Sequence, residues 1–314
     1  MKCLVAGGAG FLGSHIAERF VQAGHEVTVV DGLLARTGGC RENLADLLPR
    51  IQVFDMPIEQ VPDRARLVAE SDLLVDCLGW TCHRLALHDP LYDMRLNIGS
   101  HLALINAIPQ GWVKKVIWLG SRGQYGNPKV ERITEATPSA PQDIQAAHKQ
   151  AAESDWQVFS RTKGFAVISL RLGNCFGPRQ PVWGEDIGLI GGFIRDLLQG
   201  RPIELFGTGR RRPVIYAADV AEGVLSCAQA SFHGFQMFNL AGADVILEEL
   251  LQLLIREIGQ GSYRLQEFPA EVKAIDVGNA AFSGDRLEAF LGSVPRTPLE
   301  AGIKWTVEYF RESL

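Results

Sequence analysis

The run Gly7-Gly8-Ala9-Gly10-Phe11-Leu12-Gly13 has the residue types and spacing of a turn that can hold a pyrophosphate. Gly7 permits a tight turn, Gly10 lets the backbone come close to a phosphate, and Gly13 lets a helix pack on the preceding strand. A helix that starts here offers unpaired N–H groups and the positive end of its dipole to an anion. Asp31 ends the next apolar run and completes the order strand, glycine turn, helix, strand, acid. That is the layout of a dinucleotide site.

The elements that must position these groups are legible around them. Cys3, Leu4, Val5 and Ala6 read as a buried strand. Leu12, Ile16, Ala17 and Phe20 recur at helical spacing until Gly24 stops the helix, and residues 27–30 form the second strand. Further strand-like runs fall at 51–54, 73–78, 116–119 and 167–172, with helical segments between them. This alternation predicts a parallel sheet with helices on both faces. Residues 41–48 read as a short helix ended by Pro49, and residues 91–108 as one long amphipathic helix ended by Pro109. Another long helix is expected over 142–160. Beyond Leu172 the alternation loosens: loop over 173–184, helix over 190–199, a short strand over 202–206, a helix over 218–230, an apolar stripe from Leu247 to Ile258, and a terminal amphipathic helix carrying Leu299, Ile303, Val307 and Phe310. This tail is expected to form a smaller lobe over the carboxyl ends of the strands, where open α/β sheets bind ligands.

The composition removes several classes. A chain of 314 residues, 46% hydrophobic and 21% charged, is an ordinary globular sequence with material for a large core. A net charge of −5 lacks the basic face of a nucleic-acid binder. No apolar stretch reaches membrane-spanning length, and the first strand consumes the residues a signal peptide would need. The six scattered cysteines read as reduced thiols of a cytoplasmic protein, and Cys77 and Cys82 lack the second cluster that a metal site would require.

Taken in order, a longer set of motifs resembles the extended short-chain dehydrogenase/reductase family, the nucleotide-sugar epimerases and dehydratases. The set comprises the 7–13 turn, Asp31, Asp55-Met56, Asp89-Pro90 followed by Asn97, Ser121 before Tyr125-Gly126, Lys149, the run from Leu170 to Arg179, Phe206-Gly207-Thr208-Gly209, Arg212, Asp219-Val220 and Phe238-Asn239. It spans nearly the whole chain. The resemblance implies a doubly wound α/β fold of Rossmann type, with residues 1–172 (and a return segment near 211–240) binding NAD and residues 173–314 mainly binding a nucleotide sugar. Asp31 would accept hydrogen bonds from the adenosine ribose, and its carboxylate would repel a 2′-phosphate, which favours NAD over NADP; Arg36 is the nearby residue that speaks for NADP. Asp55 and Met56 would bracket the adenine, Leu78 and Gly79 would lie along the cofactor, and Asn97 would stand near the nicotinamide or cap a helix. Asn174, Arg179 and Arg212 resemble the positions that hold the diphosphate and base of the sugar nucleotide.

The family's reaction uses a serine, a tyrosine and a lysine four residues after that tyrosine. Ser121 and Lys149 match. The tyrosine position is Gln145, which has no proton to exchange near neutral pH. Three readings stay open: an active enzyme with another acid/base group, for which His148 and Tyr125 are the candidates; a protein that binds cofactor and sugar with altered chemistry; and a scaffold that keeps only the fold. Elimination of water across C5–C6 is disfavoured, because Arg122-Gly123 replaces the acid pair that reaction needs. His83 and Arg84 follow the fourth strand and face the expected sugar pocket without an assignable role. The leading expectation is an NAD-dependent epimerase working through a transient keto sugar. It would be a homodimer pairing through the helices over 91–108 and 142–160, with no membrane partner.

Overall fold

A computed structural model describes residues 1–313 except 113, 185, 186, 271, 272 and 274, with backbone alone at 313. Fourteen strands are assigned among the described residues: β1 Lys2–Ala6, β2 Glu26–Asp31, β3 Gln52–Asp55, β4 Leu73–Asp76, β5 Lys115–Ser121, β6 Arg132–Ile133, β7 Ala166–Leu172, β8 Asn174–Phe176, β9 Ile203–Phe206, β10 Arg211–Tyr216, β11 Phe235–Leu240, β12 Ala243–Ile246, β13 Tyr263–Gln266 and β14 Ala281–Phe282. Seven of them make one parallel sheet in the order β11-β7-β5-β4-β1-β2-β3. The strand order reverses at β1, where Cys3 pairs with Val27 on one side and Leu73 on the other. At such a switch point the two crossovers leave in opposite directions and open a crevice beyond the strand ends.

Continuous apolar runs sit in the middle of this sheet because both faces are covered. Leu4, Val5 and Ala6 are fully buried. One face packs on the first helix, Phe11–Gln22, and on Ala217–Gln229; the other packs on Ser100–Ala107 and Ile144–Lys163, with Trp112, Trp118 and Trp156 filling the gap. A second core joins β8, β9, β10 and β12 to the helices Leu189–Leu198, Leu247–Ile258 and Leu299–Ser313. β11 returns to the edge of the large sheet, whereas β10 lies in the small one. Among the described residues no helix is long and apolar enough to cross a membrane.

Three local expectations are corrected. The 173–184 loop contains β8, which follows β7 after the single residue Gly173 and pairs with β10. A Cβ on Gly173 would lie 2.8 Å from the Pro213 carbonyl oxygen, so the join is tight. The 91–108 helix is Pro90–Met94, a π-helical turn at Arg95–Gly99, and Ser100–Ala107. The wider turn breaks the 3.6-residue register, so the stripe does not stay on one face: Leu91 is 72% exposed while Leu104 and Ile105 are buried. The 41–48 helix resolves into two 3-10 turns, Arg41–Leu44 and Leu48–Arg50, the second of which contains Pro49.

Candidate active site

A cleft of about 1160 Å³ runs from the glycine turn across the carboxyl ends of the strands to β9. A single-ligand pocket holds roughly 300–1,000 Å³, so there is room for a cofactor and a second molecule. Gly7, Gly10, Phe11, Leu12, Gly13, Asp31, Leu78, Gly79, Ser121, Gln145, Lys149 and Asn174 all line it.

The glycine turn has the shape of a phosphate cradle. Gly7 has φ +77°, and a Cβ there would lie 2.8 Å from the Cys77 carbonyl oxygen. A Cβ on Gly13 would sit 2.0 Å from the Gly7 oxygen, so the helix and the turn that follows β1 touch through backbone alone. The Phe11–Gln22 helix begins at Gly10 with no side-chain cap and no acid in its first turn. Its leading N–H groups therefore meet no carboxylate of the helix itself, which suits an anionic ligand. The Asp31 carboxylate accepts the N–H of Ala9 (3.0 Å) and of Leu33 (2.9 Å). Burial raises its pKa, against the pull of those backbone donors. Arg36, the residue that speaks for NADP, pairs with Asp89 at 2.9 Å and lies over the rings of Trp80 and Tyr92.

Lys149 and Ser121 both line the cleft beyond the cradle. Buried Lys149 donates to the Leu78 carbonyl (3.0 Å) and the Leu119 carbonyl (3.2 Å). Burial lowers its pKa, although the nearby Asp76 favours the charged form. Ser121 ends β5 and caps the next turn: its Oγ accepts the Gly123 N–H at 3.0 Å, while Gln124 accepts the Ser121 N–H at 2.8 Å. This leaves the serine hydroxyl hydrogen for a substrate oxygen. Gln145 lies one helical turn before Lys149 and lines the same wall, its Oε1 buried without a partner among the described residues. Asn97 stands behind Gly79, accepting the Trp80 N–H and donating to the Trp80 carbonyl and to Asp93. A Cβ on Gly79 would be 2.8 Å from both Asn97 Oδ1 and Lys149 Nζ, so Asn97 supports the floor of the cleft.

Other expected site residues are not brought to this wall. Tyr125 is fully buried and donates to Asn239 Oδ1 at 2.7 Å, with the Arg171 guanidinium over its ring. Burial raises its pKa, which opposes a role as base. His148 Nδ1 is 2.6 Å from the buried carboxylate of Asp93, on another side of the helix from Lys149. Arg179 is held by Glu18 (2.6 Å) and His15 (2.7 Å). Arg212 donates to the Gly278 carbonyl (2.9 Å) and Asp276 (3.2 Å), and burial, with the charge of Arg210, brings its pKa down to about 10. Asp55 ion-pairs with Arg41, and Met56 packs against the apolar layer on the second face of the sheet. The acid partners of Arg179 and Arg212 lie far away in the chain, so spacing gave no sign of them.

Comparison with known proteins agrees with the geometry. A family model described as the NAD dependent epimerase/dehydratase family matches residues 3–241. The chain belongs to that family. It is 28% identical to a UDP-glucose 4-epimerase of Mycolicibacterium smegmatis, with 99% of both chains covered. It is 26% identical to UDP-glucuronic acid decarboxylase 1 of Xenopus tropicalis, covering 100% of this chain and 73% of that one. Among solved structures, a UDP-glucose 4-epimerase of Thermus thermophilus in complex with NAD is 29% identical, with 100% of both chains covered and a TM-score of 0.86. The family thus fixes an NAD-dependent nucleotide-sugar framework, and its members include decarboxylases and dehydratases as well as epimerases.

Both residues that the sequence left without a role, His83 and Arg84, stand on the cleft wall. His83 lines the cleft, and its Nδ1 is 3.0 Å from Asp143, sixty positions away in sequence. Asp143 is also the N-cap of the Ile144–Lys163 helix, accepting the Ala146 N–H at 2.8 Å. Burial would raise its pKa, but the His83 hydrogen bond and charge and the helix N–H groups outweigh that and hold it below the ordinary range.

Proposed function

We propose that this chain is an NAD-dependent epimerase of a nucleotide-activated sugar, working through a transient keto sugar. The observation that carries the reading is the convergence of Ser121 and Lys149 on one cleft with the glycine cradle. Bound NAD would supply a reversible hydride acceptor. The first turn of the Phe11–Gln22 helix would hold its pyrophosphate, Asp31 the adenosine ribose, and Lys149 the nicotinamide ribose. The Ser121 hydroxyl would orient the reacting sugar oxygen, and Asn174 would face the sugar nucleotide. Residues 1–172 would thus serve mainly the cofactor and residues 173–314 mainly the sugar. Arg179 and Arg212 could serve the diphosphate only by leaving their present partners. Arg122 donates to the Val277 carbonyl at 3.0 Å, and the pair Arg122-Gly123 brings no acid directly after Ser121 in sequence, which speaks against a C5–C6 elimination.

Gln145 favours one rival, a protein that binds cofactor and sugar without turnover. The test is incubation of the purified chain with NAD and a panel of nucleotide sugars, read by chromatography of the sugar products. Conversion of at least one to its epimer is expected; tight binding without conversion overturns the reading in favour of the rival. Two copies are proposed to pair through the helical stretches around Leu91 and Val158, both exposed apolar residues, and light scattering reads the mass.

A further inference from the structure

The reaction needs a group that takes a hydroxyl proton as the carbon is oxidised, and Gln145 cannot be that group. Each expected substitute fails on position: Tyr125 is fully buried against Asn239, and neither it nor His148 is among the described residues that line the cleft. His83 stands where they do not. Its side chain is 43% exposed in the cleft wall, and the Asp143 carboxylate that holds its Nδ1 is 2% exposed. Its place relative to Ser121 is fixed by Gly123. A Cβ built on Gly123 would lie 3.2 Å from Ser121 Oγ and 3.9 Å from His83 Cε1, so hydroxyl and imidazole stand close together, and both residues line the cleft. Asp143 is two residues before Gln145, on the helix that also carries Lys149. The carboxylate therefore anchors the imidazole to the element that presents the rest of the site.

We propose that His83, oriented by Asp143, is the acid/base group that replaces the missing tyrosine, an assignment that rests on the epimerase reading above. The carboxylate fixes the ring as the Nδ1–H tautomer, and the proton exchanged with substrate moves at Nε2. In the oxidising half, the sugar C–H bond breaks and its electron pair leaves as hydride to the bound NAD. The O–H electron pair becomes the second carbonyl bond, and the proton passes to Nε2. In the return half, the keto carbon regains the hydride on its other face and the imidazolium gives the proton back to oxygen. Nothing else is consumed. Asp143 is a positioning residue, since it touches the imidazole and not the sugar.

The experiment compares wild type with His83→Gln, His83→Ala and Asp143→Asn. Calorimetry should give affinities for NAD and for the nucleotide sugar within about twofold of wild type, the mark of intact binding. The kcat of both His83 variants should fall by about 10²–10⁴, the usual contribution of general acid–base catalysis, with KM little changed. Added imidazole should recover about tenfold or more in His83→Ala and nothing in wild type. Nitrogen-15 spectra of the wild type should place the His83 proton on Nδ1, and Asp143→Asn should weaken that preference. If His83→Ala fails to bind NAD, His83→Gln decides alone through its kcat. Turnover within about threefold of wild type, a loss that imidazole does not relieve, or an Nε2–H tautomer overturns the assignment and leaves the epimerase reading standing. A wild type that converts no sugar overturns both.

Discussion

Replacing Gly13 by alanine tests whether the cradle depends on backbone contact. The new Cβ would lie 2.0 Å from the Gly7 oxygen and 2.8 Å from Gly7 C and Gly8 Cα. These are backbone atoms, so no side chain can swing aside. Helix and turn must separate by on the order of 1 Å to restore a van der Waals contact. Forced overpacking of this kind costs about 3 kcal/mol at the upper end of its usual range. Unfolding entropy of about 2.1 cal/mol/K per residue, taken over the chain, turns that into a Tm lower by about 4–5 °C. The Gly7 carbonyl that is displaced also accepts the Gly10 N–H at 3.2 Å, so the turn deforms with it. Losing one phosphate hydrogen bond should weaken NAD by about tenfold or more. Gly24→Ala is the control. Its φ of +80° makes alanine strained, but nothing lies within 4 Å of the new methyl. It should lower Tm by about 2 °C and leave NAD affinity unchanged. Scanning calorimetry and NAD titration read both quantities. A Gly13→Ala protein that melts and binds NAD like wild type would refute the reasoning.

Two further outcomes follow from buried polar groups. His15 accepts from Arg179 and donates to the Pro178 carbonyl, and burial first, then the Arg179 charge, brings its pKa down to about 4. The unfolded chain takes up that proton near pH 6.5 and the folded one resists it, so stability should fall by roughly 3 kcal/mol as pH drops from 6.5 to 4. Urea unfolding of wild type and His15→Gln across that window should show the slope reduced in the variant; equal slopes would remove His15 as the cause. Tyr125→Phe removes the 2.7 Å bond to Asn239 and should cost about 1–2 kcal/mol of stability while keeping turnover within about twofold. A collapse of turnover in a folded Tyr125→Phe protein would return Tyr125 to the catalytic list.

What could be read from the sequence was local. The 7–13 turn shows itself because strand, turn, helix and acid lie within thirty-one residues and each glycine has its own geometric reason. The Gln145 substitution is equally plain, since helical spacing ties it to Lys149. Pairings across the chain were hidden. Nothing near Tyr125 announces Asn239, and nothing near Arg179 announces Glu18. His83 and Asp143 meet only because the short helix His83–His88 after β4 and the N-terminus of the Ile144–Lys163 helix come to one rim, so neither looked consequential alone. The 91–108 stripe misled for a different reason: it assumes a constant 3.6-residue turn, and the π-helical segment at Arg95–Gly99 breaks that constancy.

The join between β7 and β8 has a mechanical consequence. One residue separates a strand of the large sheet from a strand of the small one, and a neighbouring backbone is wedged against it. Only a residue without a side chain can make that join, because a methyl group at 173 would have to push the Pro213 backbone aside and with it the pairing of β10 to β8. The change of sheet between Leu172 and Asn174, both on the cleft wall, therefore depends on one missing Cβ.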